Sequence, residues 1–152
     1  MNIRELDLHD LDALLDLYGH LHQQDLPRPE RQEVESVWKQ ALCNDGIRYF
    51  GCFVDAQLVS SCTIAVIPNL TRGCRPYALV ENVVTHSSFR KRGYGKAVLQ
   101  AALEFAWDRN CYKVMLMTGR LDERTFSFYE SAGFNRHKKQ AFIIEQKKSS
   151  GE

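Results

Sequence analysis

Charge of one sign is missing from this sequence: twenty Lys and Arg face nineteen Asp and Glu, a formal net charge of +1 over 152 residues. No global field draws such a chain to nucleic acid or to an anionic membrane. Basic character is only local, at 90–92 and 136–139, and the second cluster reads as a solvated turn. Long apolar runs are missing too. No span approaches the ~20 residues of a membrane helix, and Met1-Asn2-Ile3-Arg4-Glu5 lacks the apolar run and small-residue cleavage site of a secretory signal. The expectation is a cytoplasmic protein with no membrane partner. The five cysteines form no CxxC and no Cys/His pair at metal-ligand spacing, and their odd number argues against a complete disulfide framework. They read as small apolar packing residues, with no metal and no evident His partner for a nucleophilic thiol. Repeats, low-complexity tracts and a second-domain linker are absent. Hydrophobic residues at 44% and charged residues at 26% are ordinary for a globular chain, so a single domain over 1–147 is expected, with a frayed tail at 148–152.

What is present is a succession of periodic segments. Ile3 to Leu6 reads as a short strand, and Leu8 to about His22 as a helix with Leu11, Leu14, Leu15 and Tyr18 on one face. Pro27-Arg28-Pro29 breaks it, and a second helix runs from Glu30 to Cys43. Asn44-Asp45-Gly46 leads into strands Arg48 to Val54 and Leu58 to Ile67, joined as an antiparallel hairpin by Asp55-Ala56-Gln57. Pro68 to Pro76 is a loop, followed by strand Tyr77 to Thr85, a helix from Gly93 to about Asp108, and strand Tyr112 to Thr118. Asp122 to Ser131 is a further helix capped by Gly133, and Phe134 and Ala141 to Gln146 look like final strands.

Between the strand ending at Thr85 and the helix starting near Gly93 lies Arg90-Lys91-Arg92-Gly93-Tyr94-Gly95-Lys96. A chain that leaves a strand and starts a helix exposes unpaired N–H groups at the positive end of the helix dipole, and so can hold an anion. Gly93 and Gly95 let the backbone come close, while Arg90, Lys91, Arg92 and Lys96 put charge around the rim. Two other phosphate loops do not fit. Gly-Lys is followed by Ala97 where a Walker A loop needs Ser or Thr, and Val98 stands where the dinucleotide fingerprint needs a third glycine.

This loop matches the pattern Arg/Gln-x-x-Gly-x-Gly/Ala of the GNAT superfamily of acyl-CoA-dependent N-acyltransferases at Arg90, Gly93 and Gly95. Phe128-Tyr129-Glu130-Ser131-Ala132-Gly133-Phe134 matches its second signature, aromatic-Tyr-Glu-x-x-Gly-Phe. The chain therefore resembles that superfamily along essentially its whole length, most specifically over 79–134. Ser87 stands where relatives often have proline, and Asp122 where an asparagine is often found.

The resemblance implies an α/β (α+β) fold with a central mixed, mostly antiparallel sheet of six to seven strands. About four helices would flank it, and it would splay between strands four and five. Acetyl-CoA is then the implied acyl donor, with no metal. Its pantetheine would pair with backbone near Val83, Val84 and Thr85, and its pyrophosphate would meet N–H groups of Lys91, Arg92, Gly93, Tyr94, Gly95 and Lys96. Asp122, at the position of the family's asparagine, is one further implied coenzyme contact. Tyr129 is the implied general acid at the departing thiolate. Glu81 matches a carboxylate carried on strand four by many relatives and is the implied base; burial in an apolar strand would raise its pKa, although a structural ion pair would fit it too. Asn82 is a substrate-binding alternative if a bulge turns it from the opposite sheet face, and His86 reads as a surface histidine.

The expected activity is N-acetylation of a primary amine by direct attack in a ternary complex. A catalytically silent acyl-CoA-binding domain and a peptide or protein N-acetyltransferase are the alternatives, and a nucleic-acid module rests only on the basic clusters. Cys111-Tyr112-Lys113-Val114 with Phe128-Tyr129-Glu130 is similar to stretches of glucosamine-phosphate N-acetyltransferases, which leaves the acceptor open between an amino sugar phosphate and other polar amines. Residues 20–33 and 68–76 would border the acceptor, and relatives suggest a homodimer.

Overall fold

Asp55 and Ala56 both take positive φ, 48° and 65°, the geometry of a two-residue turn whose twist matches that of the strands it joins. It connects β2 (Ile47–Val54) to β3 (Gln57–Ile67), and their antiparallel ladder is the centre of the sheet. In this computed structural model residues 1–22 and 24–146 are described. They fall into two compact units, Met1–Leu116 and Met117–Glu152.

The first unit holds a five-stranded sheet in the order β1-β2-β3-β4-β5. β1 (Asn2–Glu5), β2, β3 and β4 (Tyr77–Thr85) pair antiparallel, and β5 (Val114–Leu116) joins β4 in parallel. A parallel neighbour requires a crossover, which α3 (Tyr94–Asp108) supplies. Neighbouring residues on a strand face opposite sides. Accordingly Tyr49 meets Trp38 of α2 (Arg31–Cys43), with ring centroids 4.9 Å apart, while Phe50 meets Phe105 of α3 at 6.0 Å. α2 and α3 thus cover opposite faces. α1 (Leu11–Tyr18) lies with α2, placing Leu11, Leu14 and Leu17 in a core with Leu6, Leu58 and Val84. Gly51 is demanded by this packing: a Cβ there would meet Leu6 Cδ2 at 2.5 Å and Leu58 Cδ1 at 2.7 Å.

The first expected helix is shorter than its apolar period. Residues Leu8–Asp10 form a 3-10 turn before α1. Asp7 caps that turn by accepting from His9 N, and Asp10 accepts from Asp7 N. Asp10 also takes two hydrogen bonds from Arg4 at 2.7 and 2.8 Å, which hold its carboxyl below the usual range.

The second unit contains α4 (Glu123–Ser131). Its end explains the Tyr-Glu-x-x-Gly-Phe signature. Gly133 takes φ 98°, so Phe134 N–H reaches Tyr129 O at 3.2 Å and Gly133 N–H reaches Glu130 O at 2.9 Å, closing the helix in a Schellman motif. The accompanying apolar contact is Tyr129 on Phe134, centroids 6.3 Å apart. Arg136 pairs with both Glu123 and Glu130, so part of the second basic cluster serves this helix.

The expected strands at Phe134 and at Ala141 to Gln146 do not form, which leaves five strands among the described residues against the six to seven expected. Phe142 and Ile144 are 91% and 97% exposed. β propensity reflects fit to a half-buried pleated surface, and these side chains have no such surface here. The expected tail at 148–152 lies outside the described residues. No described helix is long and apolar enough to cross a membrane.

Candidate active site

β4 is irregular at its middle. Thr63 of β3 faces Glu81 and Ser61 faces Val84, so one β3 residue, Cys62, stands opposite both Asn82 and Val83. Asn82 occupies the bulge at φ 51°, a left-handed conformation that asparagine adopts more readily than most residues. The bulge turns Asn82 to the α1 side, where its side chain and Thr63 face the Tyr18 hydroxyl. The Tyr18 and Thr63 hydroxyls are fully buried, and neither completes a hydrogen bond there. Burial pushes the Tyr18 phenol well above its usual pKa.

On its other side β4 loses its partner. β5 pairs only with Ala78, Leu79 and Val80, so from Glu81 to Thr85 that edge of β4 has no neighbouring strand among the described residues. This is the expected parting of strands four and five. Val83 and Thr85 are half-buried and Val84 is buried. The end of the strand is tied down by Ser60, whose Oγ donates to Val84 O at 2.8 Å and lies 2.8 Å from Thr85 Oγ1. Glu81 is exposed, where burial in an apolar strand was expected.

After β4 the chain makes a 3-10 turn, Ser87–Phe89, and enters the glycine loop. Lys91 takes φ 63° and Gly93 φ 85°, with Gly93 the N-cap of α3. A non-glycine residue held left-handed costs about 1 kcal/mol or more, so the conformation at Lys91 is imposed by its surroundings. A Cβ built on Gly93 would meet nothing within 4 Å. The glycine answers to φ and to open space above the helix N-terminus, as an anion cradle requires. Gly95 is buried in the first turn, Tyr94 half-buried, and Lys91, Arg92 and Lys96 exposed. The Arg92 guanidinium lies 5.5 Å from the Phe89 ring centre. Arg90 differs from the expected rim charge: its Nε donates to Thr85 O and its Nη2 to His20 O, both at 3.2 Å.

Glu81, Val83 to Thr85 and the loop therefore lie along one stretch of the first unit. Tyr129 and Asp122 belong to the second. Tyr129 is half-buried between Phe128 and Phe134, at 5.0 and 6.3 Å. Asp122 is the N-cap of α4, accepting from Thr125 N at 2.9 Å and Thr125 Oγ1 at 3.0 Å, and those bonds lower its pKa. Of the two segments expected beside the acceptor, 68–76 lies at the opposite end of β4 from the loop, anchored by Arg75 to Asn110 O and Cys111 O. His20 lies at the loop itself. Cys52, Cys62 and Cys111 are buried, and burial pushes the Cys62 thiol up to about 12, far from a nucleophile. No group of three or more potential metal ligands occurs among the described residues.

The sequence matches the Acetyltransferase (GNAT) family over residues 11–134. The chain belongs to the GNAT acetyltransferase family. It is 32% identical over 143 residues to the glucosamine 6-phosphate N-acetyltransferase of Trypanosoma brucei brucei, covering 92% of each chain. A solved structure from Agrobacterium tumefaciens str. C58, provisionally assigned as an acetyltransferase, is 42% identical with a TM-score of 0.90, over 96% of this chain and 100% of that one. The same fold, at 17% identity and a TM-score of 0.74, occurs in an aminoglycoside N-acetyltransferase solved with CoA, over 95% of this chain and 99% of that one. This GNAT protein is thus an acyltransferase, built on the mixed sheet described above.

Sequence reasoning missed the roles of His20 and the Arg90 guanidinium and the buried hydroxyls of Tyr18 and Thr63. Tyr18 was legible only as one apolar position in a helix. Nothing local marks the His20 contacts, which join residues 67 and 70 positions apart.

Proposed function

We propose that this GNAT protein is an acetyl-CoA-dependent N-acetyltransferase that acetylates the primary amine of a small polar acceptor, with an amino sugar phosphate the first to test. The observation that carries the donor assignment is the open turn at Lys91 to Lys96, which follows a strand edge with no neighbour among the described residues. Backbone N–H groups of the cradle would hold the coenzyme diphosphate, helped by Lys91, Arg92 and Lys96. The edge at Val83 to Thr85, beside which no strand lies among the described residues, would receive the pantetheine amides, which need backbone partners of their own. The CoA complex of a structural neighbour supports the same donor.

In this reading the neutral amine attacks the thioester carbonyl directly, with no covalent enzyme intermediate. Glu81 takes the amine proton and Tyr129 donates to the departing thiolate. The exposure of Glu81 leaves it accessible to water, consistent with proton transfer through a solvent molecule. Asn82, turned by the bulge to the α1 side, would contact the acceptor. The Trypanosoma relative supports an amino sugar phosphate. The exposed apolar residues Phe142, Ile143 and Ile144 would be covered in a homodimer, and the protein would work in the cytoplasm.

The test is thiol release from acetyl-CoA with amino sugars, amino sugar phosphates, polyamines, aminoglycosides and peptides. Release that depends on one class of amine supports the proposal. Tight acetyl-CoA binding without turnover on any amine would instead mark a silent binding domain.

A further inference from the structure

His20 lies just past α1, and two of its atoms reach the two ends of the turn that precedes the cradle. Its Nδ1 accepts the Ser87 backbone N–H at 3.3 Å, and its carbonyl accepts Arg90 Nη2 at 3.2 Å. Arg90 Nε donates back to Thr85 O at 3.2 Å. A hydrogen-bonded circuit therefore runs from the last residue of β4 through Arg90 to His20 and back to Ser87. Beside it, His86 Nδ1 accepts from Ser88 N at 3.1 Å, and the two imidazoles meet with centroids 4.0 Å apart. Phe89 contacts His86 at 5.4 Å and Tyr94 at 6.2 Å, which carries the assembly into the first turn of α3.

An imidazole that accepts at Nδ1 carries its proton on Nε2. A second proton would turn the acceptor into a donor pointing at the Ser87 N–H, and the two would repel. The groups that face His20 are His86 at the end of β4 and Arg90 in the loop. Desolvation, then His86 and then Arg90, all disfavour its charged form and hold its pKa below the ordinary value. The neutral, accepting form is the one these surroundings select.

We infer that His20 is a positioning residue for the coenzyme loop: its neutral imidazole and its carbonyl clamp Ser87 and Arg90 so that the N–H groups of 91–96 stay aligned for a diphosphate, and protonation releases the clamp. The inference rests on the proposed role of 91–96 as the diphosphate cradle. It adds a pH response to donor binding, with affinity present while His20 is neutral and lost as the pH falls through its titration.

The experiment compares wild type with His20→Asn, His20→Gln and His20→Ala, using CoA as the probe in calorimetry between about pH 5 and pH 8. The Asn Oδ1 can take the place of Nδ1 and does not titrate, whereas Gln places its oxygen near Nε2. His20→Ala and His20→Gln are expected to weaken CoA binding at neutral pH by about threefold to tenfold, the size of one lost hydrogen bond. His20→Asn is expected to keep the affinity and to lose most of the acid response. Comparing wild type with that variant cancels the coenzyme's own phosphate titration. Equal CoA affinity in His20→Ala and wild type, or an undiminished acid response in His20→Asn, would overturn the inference. Two readouts need no ligand: NMR of the His20 ring nitrogens, expected to show the proton on Nε2, and exchange of the Ser87 amide, expected to speed up in His20→Ala and not in His20→Asn. If wild type bound no CoA, the cradle reading would fail, and these two signals would still decide whether the clamp exists.

Discussion

Gly93→Ala separates the conformational demand on the loop from its demand for space. Gly93 takes φ 85°, and its added methyl would meet no atom within 4 Å. The folding penalty should therefore be conformational alone, about 1–2 kcal/mol for a Cβ in the left-handed region, a fall in Tm of several degrees for a chain of this size. The larger effect should fall on the ligand. The methyl would stand in the open space over the first turn of α3, and holding a diphosphate off one or two N–H groups would remove charge-assisted hydrogen bonds of about 1.5–3 kcal/mol each. That corresponds to CoA binding weaker by roughly tenfold for one bond at the low end to about 10⁴-fold for two at the high end. Calorimetry with CoA and thermal melting on the same preparation give both numbers. CoA affinity within twofold of wild type, alongside the modest melt shift, would refute the cradle. A collapse of the fold would refute the clash-free reading of the glycine.

Three further outcomes are expected. Tyr129→Phe should keep the ring contact with Phe134 that closes α4 while kcat falls about 10²-fold or more; Glu81→Gln should likewise lower kcat, and unchanged kcat in either variant would reject that residue's role. Asp10→Asn should destabilise by about 1–2 kcal/mol at neutral pH, because it breaks the paired hydrogen bonds from Arg4. The folded-state pKa of Asp10 is lowered, chiefly by Arg4, so its contribution is fully present above the unfolded value of about 4 and lost as pH falls through the folded one; acid melts of the two proteins should converge. Tyr18→Phe removes a buried hydroxyl that lacks a completed hydrogen bond, so its Tm should hold or rise, by up to about 1 kcal/mol of added stability, and a clear loss on melting would show that the hydroxyl is satisfied in solution.

The parts of the fold legible in the sequence are those where local chemistry and long-range packing agree. β4 runs from Tyr77 to Thr85 as its apolar pattern indicates, and α3 starts one residue past Gly93, because a left-handed glycine and the apolar stripe of Val98, Ala102 and Phe105 specify the same boundary. Gly133 is likewise readable, since a helix that must end before Phe134 needs a residue tolerant of positive φ. Ala141 to Gln146 was misread because Phe142, Ile143 and Ile144 have strand propensity whether or not a ladder is there to receive them. β5 is shorter than its apolar run: it pairs with β4 only at Ala78 to Val80, where the two strands part.

Within the site, the left-handed turn into α3 was legible from Gly93, Gly95 and the helix that follows. The environment of Glu81 was not, since an apolar neighbourhood in sequence says nothing about which face the bulge leaves open. Arg90 was read as rim charge because its partners, Thr85 O and His20 O, are backbone atoms that leave no mark on residue type. Family resemblance supplied Tyr129 and Glu81 as proton carriers, roles that spacing alone does not distinguish from packing and surface positions.

The central proposal is acetyl transfer from acetyl-CoA to an amine, and mass spectrometry of an amine panel incubated with acetyl-CoA, read beside the thiol released, addresses it most directly. The expected result is an N-acetylated product, with one CoA formed per product and no release without the amine. Bound acetyl-CoA with no acetylated amine across the panel, or thiol release indifferent to the amine, would contradict it.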